Sequence, residues 1–153
     1  MDNAKEKFLK EEFIPLLEKL NGTEKGKWGV MNAQQMVEHF ADSVKNASGK
    51  LILPVINEGE RLQKSREFLM SDIPFKENTE NPLIPKEGIS LRQLNMESAI
   101  KKLQKELDYF FGVFGNQPEL KTNNAFFGEL DYNMNIQLLH KHAIHHLKQF
   151  GLA

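Results

Sequence analysis

The chain contains no cysteine. That excludes disulfides and thiolate metal sites, leaving only nitrogen and oxygen to ligate a metal. Neither sign of charge dominates: 20 basic residues stand against 21 acidic ones, a formal net charge of −1, with both signs interspersed. A basic arm or stripe is missing, and with it the electrostatic footprint of a nucleic-acid binder. No apolar run approaches the roughly 20 residues that span a bilayer, so no membrane partner is expected. The opening Met1-Asp2-Asn3-Ala4-Lys5-Glu6 is polar and charged, unlike a signal peptide. These absences predict a soluble, cytoplasmic protein. No internal repeat or low-complexity tract interrupts the 153 residues, which suit a single domain, 1–153.

What the chain does have is helical periodicity. Phe8, Leu9, Phe13, Leu16, Leu17 and Leu20 predict a first helix from Ala4 to Leu20, kinked or split at Pro15. The turn formers of Asn21–Lys27 predict a loop. Asn32, with Gln35 three residues on, reads as a capping box opening a second helix, Ala33 to Ser48, striped by Met36, Phe40, Val44 and Ala47. From Gly49 to Gly88 the pattern weakens, with Pro54, Pro74, Pro82 and Pro85, a short helix at Glu58–Met70 and a loop at Asn78–Asn81. Such a length fits a crossover between helices that do not run antiparallel. Ser90 with Gln93 predicts the start of a third long helix and Gly115 its end, with Met96, Ile100, Leu103, Leu107, Phe110, Phe111 and Phe114 as its core face. Asp131 caps a fourth, Tyr132 to Phe150, stopped by Gly151. With no convincing strand, the expectation is an all-α four-helix bundle with a long crossover between the second and third long helices.

Chemistry concentrates in the histidines. Four of the five fall in one run, His140, His142, His145 and His146, and the fifth is His39. On a 100° wheel His142 and His146, spaced i, i+4, share one margin of the fourth helix's apolar face, as His39 does on its own helix. Three imidazoles on facing helices supply the protein ligands of an open, catalytic-type metal site, with metal ligands His39, His142 and His146. His145 points away from the core and reads as a solvated residue. His140 falls in the apolar arc and reads as a core histidine with a buried polar partner. Trp28 reads as a hydrophobe capping the bundle, and Gln34 and Gln35 as ordinary helix formers. Gln149 is near enough to His146 to orient it from behind. Glu38 points about 100° from His39 on the wheel and is a poor general base. Glu58 or Glu60 of the crossover could still close the metal's coordination shell.

Trp28-Gly29-Val30-Met31-Asn32-Ala33-Gln34-Gln35-Met36-Val37-Glu38-His39 resembles the second-helix start of DinB-like proteins. Phe126-Phe127-Gly128-Glu129-Leu130, followed by His142-Ala143-Ile144-His145-His146-Leu147-Lys148-Gln149-Phe150-Gly151, is similar to the C-terminal signature of a small branch of that family. The middle of the chain matches only in general character. The resemblance implies a four-helix bundle with a long crossover and a divalent metal, zinc or nickel, on His39, His142 and His146. Homodimers are common among proteins with this resemblance. It also implies a thiol S-transferase using a low-molecular-weight thiol such as bacillithiol, mycothiol or glutathione, or an isomerase of the maleylpyruvate type. Many relatives follow the last histidine with arginine-glycine-glutamine. Here Leu147-Lys148-Gln149 keeps only the glutamine, so no thiol-binding arginine carries over.

The leading expectation is therefore a metal-dependent S-transferase acting on small electrophiles. With no cysteine in the chain, the nucleophilic thiol is external. A metal-dependent hydrolase, with water in the open position, and a non-catalytic, stress-related bundle with a structural metal stay open beside it.

Overall fold

A computed structural model describes residues 3–78, 81–84 and 89–153. The chain begins with α1 (Asn3–Lys7), a π-helical turn (Phe8–Glu12) and α2 (Phe13–Leu17). Proline at position 15 has no N–H for the Glu11 carbonyl, and its ring clashes there in regular helix. The ladder widens instead, with the Phe13 N–H reaching Phe8 O. The interruption expected at Pro15 thus takes the form of a π turn just ahead of it. Leu9, Phe13, Leu17 and Leu20 still point inward together.

Helix α3 (Ala33–Ala47) opens on the expected capping box. Asn32 Oδ1 accepts the Gln35 N–H (2.9 Å), and Gln35 Oε1 accepts the Asn32 N–H (2.8 Å). Its inward face carries Met36, Val37, Phe40, Ala41 and Val44. The crossover contains α4 (Gly59–Leu69), close to the Glu58–Met70 expectation. Residues 79–80 and 85–88 lie outside the described residues, and with them part of the Asn78–Asn81 loop, Pro85 and Gly88.

Helix α5 (Met96–Asn116) departs from expectation at both ends. Asn95, not Ser90, caps it, accepting the Ser98 N–H at 2.9 Å. The reason is competition for backbone. Gln34 Nε2 donates to Gln93 O, Gln35 Nε2 to Ile89 O, and the buried Glu38 carboxylate accepts the Arg92 and Gln93 N–H groups. Side chains of α3 therefore claim residues 89–93 before a helix can begin. Gly115 does not stop α5 either, because its φ is not positive and the helix runs through it. The expected stripe is otherwise present, with Leu103, Leu107, Phe110 and Phe114 buried. Glu106 is buried on α5 between Lys50 (2.8 Å) and Lys102 (2.9 Å), which ties the start of the crossover to this helix.

The sequence reading holds no strand, yet a short antiparallel hairpin pairs β1 (Thr122–Asn124) with β2 (Gly128–Leu130). Asn124 Oδ1 accepts the N–H groups of Phe126 and Phe127, and Gly128 takes a φ of +73° at the return. Three-residue strands are too short to carry a period-two signal. Asp131 then caps α6 (Tyr132–Gln149) by accepting the Met134 N–H. Gly151, at φ +76°, ends it, with Leu152 N bonded to Leu147 O and Gly151 N to Lys148 O.

The fold is mostly helical, with this two-stranded hairpin as its sheet among the described residues. α3 packs along α5, and one apolar core draws side chains from α2, α3, α5 and α6. Leu69, Phe127 and Leu130 form a second, small cluster under α4. No described helix is long and apolar enough to cross a membrane.

Candidate metal centre

Capping decides where the histidines go. Because Asn32 starts α3 and Asp131 starts α6, the phase of each helix is fixed from its first turn. His39 of α3 then faces His142 and His146 of α6, with ring centroids 5.2 and 5.4 Å apart. The His142 and His146 rings lie one turn apart, tilted to each other, with centroids 4.5 Å apart. One ring nitrogen from each of the three lies within 4.8 Å of the others, a spacing that lets them grip a single ion.

The network behind His146 sets its tautomer. Gln149 Nε2 donates to the Trp28 carbonyl (2.8 Å), so its Oε1 is the atom turned to His146 Nδ1, at 2.7 Å. A carbonyl oxygen can only accept, so Nδ1 carries the proton and the neutral ring presents its Nε2 lone pair to the seam. His142 Nε2 lies 2.7 Å from that lone pair, close enough for the two nitrogens to share one proton or to face one ion. A divalent ion held by His39, His142 and His146 would take the place of such a proton and would supply a Lewis acid there.

Electrostatics favours the ligating form. Burial pushes His39 down to about 4, against the opposing pull of the Asp42 carboxylate. Burial holds His142 and His146 well below the ordinary 6.5, and the neighbouring imidazoles push the same way. All three rings are therefore neutral at physiological pH, as a metal requires. The donor set is three imidazole nitrogens, which suits zinc, nickel and related ions.

The carboxylates that could have closed the shell are elsewhere. Glu60 is on the surface with Lys64, and Glu58 is exposed ahead of α4. Glu38 turns to Arg92 and Gln93, in keeping with its poor placement as a base. Asp42 is forked by the Arg92 guanidinium at 2.7 and 3.2 Å. Among the described residues no fourth His, Asp or Glu joins the cluster.

Two histidines stand apart from the triad. His140 is half-buried with its ring edge-on to Phe8 at 5.3 Å. His145 is not the solvated residue expected from the wheel. It is half-buried, 5.6 Å from the Trp28 indole, 5.8 Å from Phe75 and 5.1 Å from His146, and burial lowers its pKa. The wheel sees only α6, whereas Trp28 and Phe75 arrive from the loop before α3 and from the crossover. Sequence reasoning likewise missed Phe75, and it missed Gln34 and Gln35 as anchors of residues 89–93.

Comparison with protein-family models, with curated proteins and with solved structures found no match.

Proposed function

We propose that this protein is a metal-dependent enzyme of the DinB-like class, a thiol S-transferase acting on small electrophiles through His39, His142 and His146. The observation that carries the reading is the ligand set: three neutral imidazoles converge, and no fourth acidic or histidine ligand joins them among the described residues. Structural sites are usually closed by four protein ligands, and catalytic ones keep a position for water or substrate. The resemblance in Trp28–His39 and His142–Gly151 points the same way, as does the order of the helices. In this reading the α1–α2 stretch, α3, α5 and α6 are the four members of one bundle, and residues 49–88 are its crossover.

A divalent ion bound here would act as a Lewis acid, lowering the pKa of a thiol in its open position. The chain's own residues supply the rest. His39, His142 and His146 bring ring nitrogens within 4.8 Å of one another, and Gln149 holds His146 in the tautomer that turns its Nε2 lone pair to the other two. In the transfer, the sulfur of an external thiol bonds to an electrophilic carbon. The leaving group departs with its electron pair, and the thiol proton passes to solvent. No chain sulfhydryl competes, because there is no cysteine. Hydrolysis fits less well, since Glu38 is committed to the backbone of Arg92 and Gln93 and is unavailable as a base.

Protein purified without a histidine tag and reconstituted with zinc or nickel is expected to hold about one ion per chain by elemental analysis. At free metal 100-fold above Kd the stabilisation is about 2.7 kcal/mol. For a chain of this size that raises Tm by about 5–11 °C. The loaded protein is then screened for conjugation of low-molecular-weight thiols to electrophiles. Metal well below stoichiometric would overturn the site, and stoichiometric metal without conjugation would overturn the transferase.

A further inference from the structure

Lysine ammonium groups are rarely buried without partners. Lys141, one residue before His142, is buried on α6, and its Nζ donates to the carbonyls of Ser71 (3.0 Å) and Ile73. It also lies 4.5 Å from the centroid of the Phe68 ring. Gln137, one turn earlier on α6, donates to the carbonyls of Leu69 (3.0 Å) and Ser71 (3.3 Å). Together they fasten the end of α4 and the chain that leaves it onto α6.

What this fastening positions is Phe75. Its ring stands edge-on to His142 at 6.3 Å and to His145 at 5.8 Å, and it packs on Phe68 at 5.5 Å. Trp28 stands 5.6 Å from the same His145 and is fixed through its carbonyl by Gln149. Phe40 closes His142 from the core, at 4.9 Å and fully buried. The half-buried Trp28 and Phe75 therefore mark the side of the histidine centre that faces solvent. The charges acting on His145 are Glu77 and Lys148, of opposite sign. Ring edges and faces set at angles to one another, with balanced charge beside them, favour an aromatic ligand without charge, because aromatic rings associate by stacking and edge contacts.

We propose that Trp28, Phe75 and His145 form an aromatic slot beside the histidine centre that takes a flat, uncharged aromatic or conjugated electrophile, and that Lys141 is the positioning residue for Phe75. The inference rests on the metal-dependent reading only for what happens at the ligand's reactive end.

Trp28 is the sole tryptophan, so its fluorescence reads occupancy of the slot without turnover. Zinc-loaded protein is titrated with imidazole and with 4-phenylimidazole, which share a ligating nitrogen and differ by one flat ring. The phenyl compound is expected to bind about 30-fold more tightly, the scale set by burying one ring at about 25 cal/mol per Å². In Phe75→Ala, and in Lys141→Met, that ratio falls below about 5-fold while zinc affinity is kept. Equal binding of the two azoles by the wild type overturns the slot. If Lys141→Met keeps the wild-type ratio, Lys141 does not position Phe75.

Failure of both azoles to bind would overturn the metal reading instead, and the metal-free protein then decides the slot with 1-naphthol. Saturable quenching of Trp28 that is lost in Phe75→Ala supports it, and quenching without saturation overturns it. Equal affinity for 1-naphthoate would overturn the preference for an uncharged ligand.

Discussion

Replacing Gln149 by methionine tests whether the centre is organised from behind. Gln149 is buried, with Oε1 on His146 Nδ1 at 2.7 Å and Nε2 on Trp28 O at 2.8 Å. Methionine is the suitable replacement because it is unbranched. A Cβ on Gly26 would already lie 2.8 Å from Gln149 Cγ, so a side chain branched there has no room. The substitution strands two polar groups, the buried His146 Nδ1–H and the part-buried Trp28 carbonyl. At about 1–3 kcal/mol each, the metal-free protein should lose about 2–6 kcal/mol, read as a lower urea midpoint. His146 is then free to change tautomer and turn, and losing a partner of this kind costs metal affinity about 10–100-fold.

Gln149→Glu separates the two effects. A carboxylate still accepts from Nδ1 but cannot donate to Trp28 O, so metal affinity should hold or rise while stability falls. The assay is calorimetric titration of zinc at pH 7.5 against a competing chelator, beside urea melts without metal. If Gln149→Met destabilises the fold but leaves zinc affinity within about threefold of wild type, the tautomer argument is wrong. Gln149 would then be only a strut between α6 and the Trp28 loop.

The remaining expectations follow from the same contacts. His39→Ala, His142→Ala and His146→Ala should each weaken zinc binding by more than the about 10–100-fold of an outer partner, with His145→Ala close to wild type in the same titration. An equal loss in His145→Ala would put a fourth imidazole in the shell. Because burial lowers His39 from 6.5 to about 4, the unfolded chain binds the proton first as pH falls. Metal-free stability is therefore fully present above pH 6.5 and drains away between 6.5 and 4, by about 3 kcal/mol for this group alone. Urea midpoints across that range should fall less steeply in His39→Gln, and an unchanged slope would contradict the assignment. Glu38→Leu leaves the N–H groups of Arg92 and Gln93 without their acceptor and should cost about 2–6 kcal/mol. Hydrogen exchange should rise at residues 89–93 with zinc affinity unaltered; exchange that stays slow there would show that Glu38 does not hold the segment.

Local signals were legible in the sequence and long-range ones were not. Asn32 with Gln35, and Asp131, announce their helices because a cap and its N–H lie three residues apart. With both helices phased, the convergence of His39, His142 and His146 could be read from a wheel. The Ser90 cap failed because Gln34, Gln35 and Glu38, more than fifty residues away, claim the backbone it needed. His145 was misjudged for the same kind of reason: α6 alone leaves it outside, and chain from two other regions covers it. The hairpin's short strands left no alternation to find, although Gly128 marks its return.

Glu38 and His39 are consecutive on α3, one holding the returning chain at Arg92 and the other facing α6. The two halves of the molecule are thereby indexed by a single turn of helix. Removing one residue between Asn32 and Glu38 would rotate everything beyond it by about 100° and shift it by about 1.5 Å. The carboxylate and the imidazole would both lose their partners at once. Lengthening the chain at 52–55, between the hydrogen-bonded Leu51 and Ile56, costs far less, since each doubling of a flexible loop adds only about 0.6 kcal/mol. Related chains that keep the same chemistry are thus free to differ widely in the length of the crossover, whereas the six positions separating Asn32 from His39 admit neither insertion nor deletion.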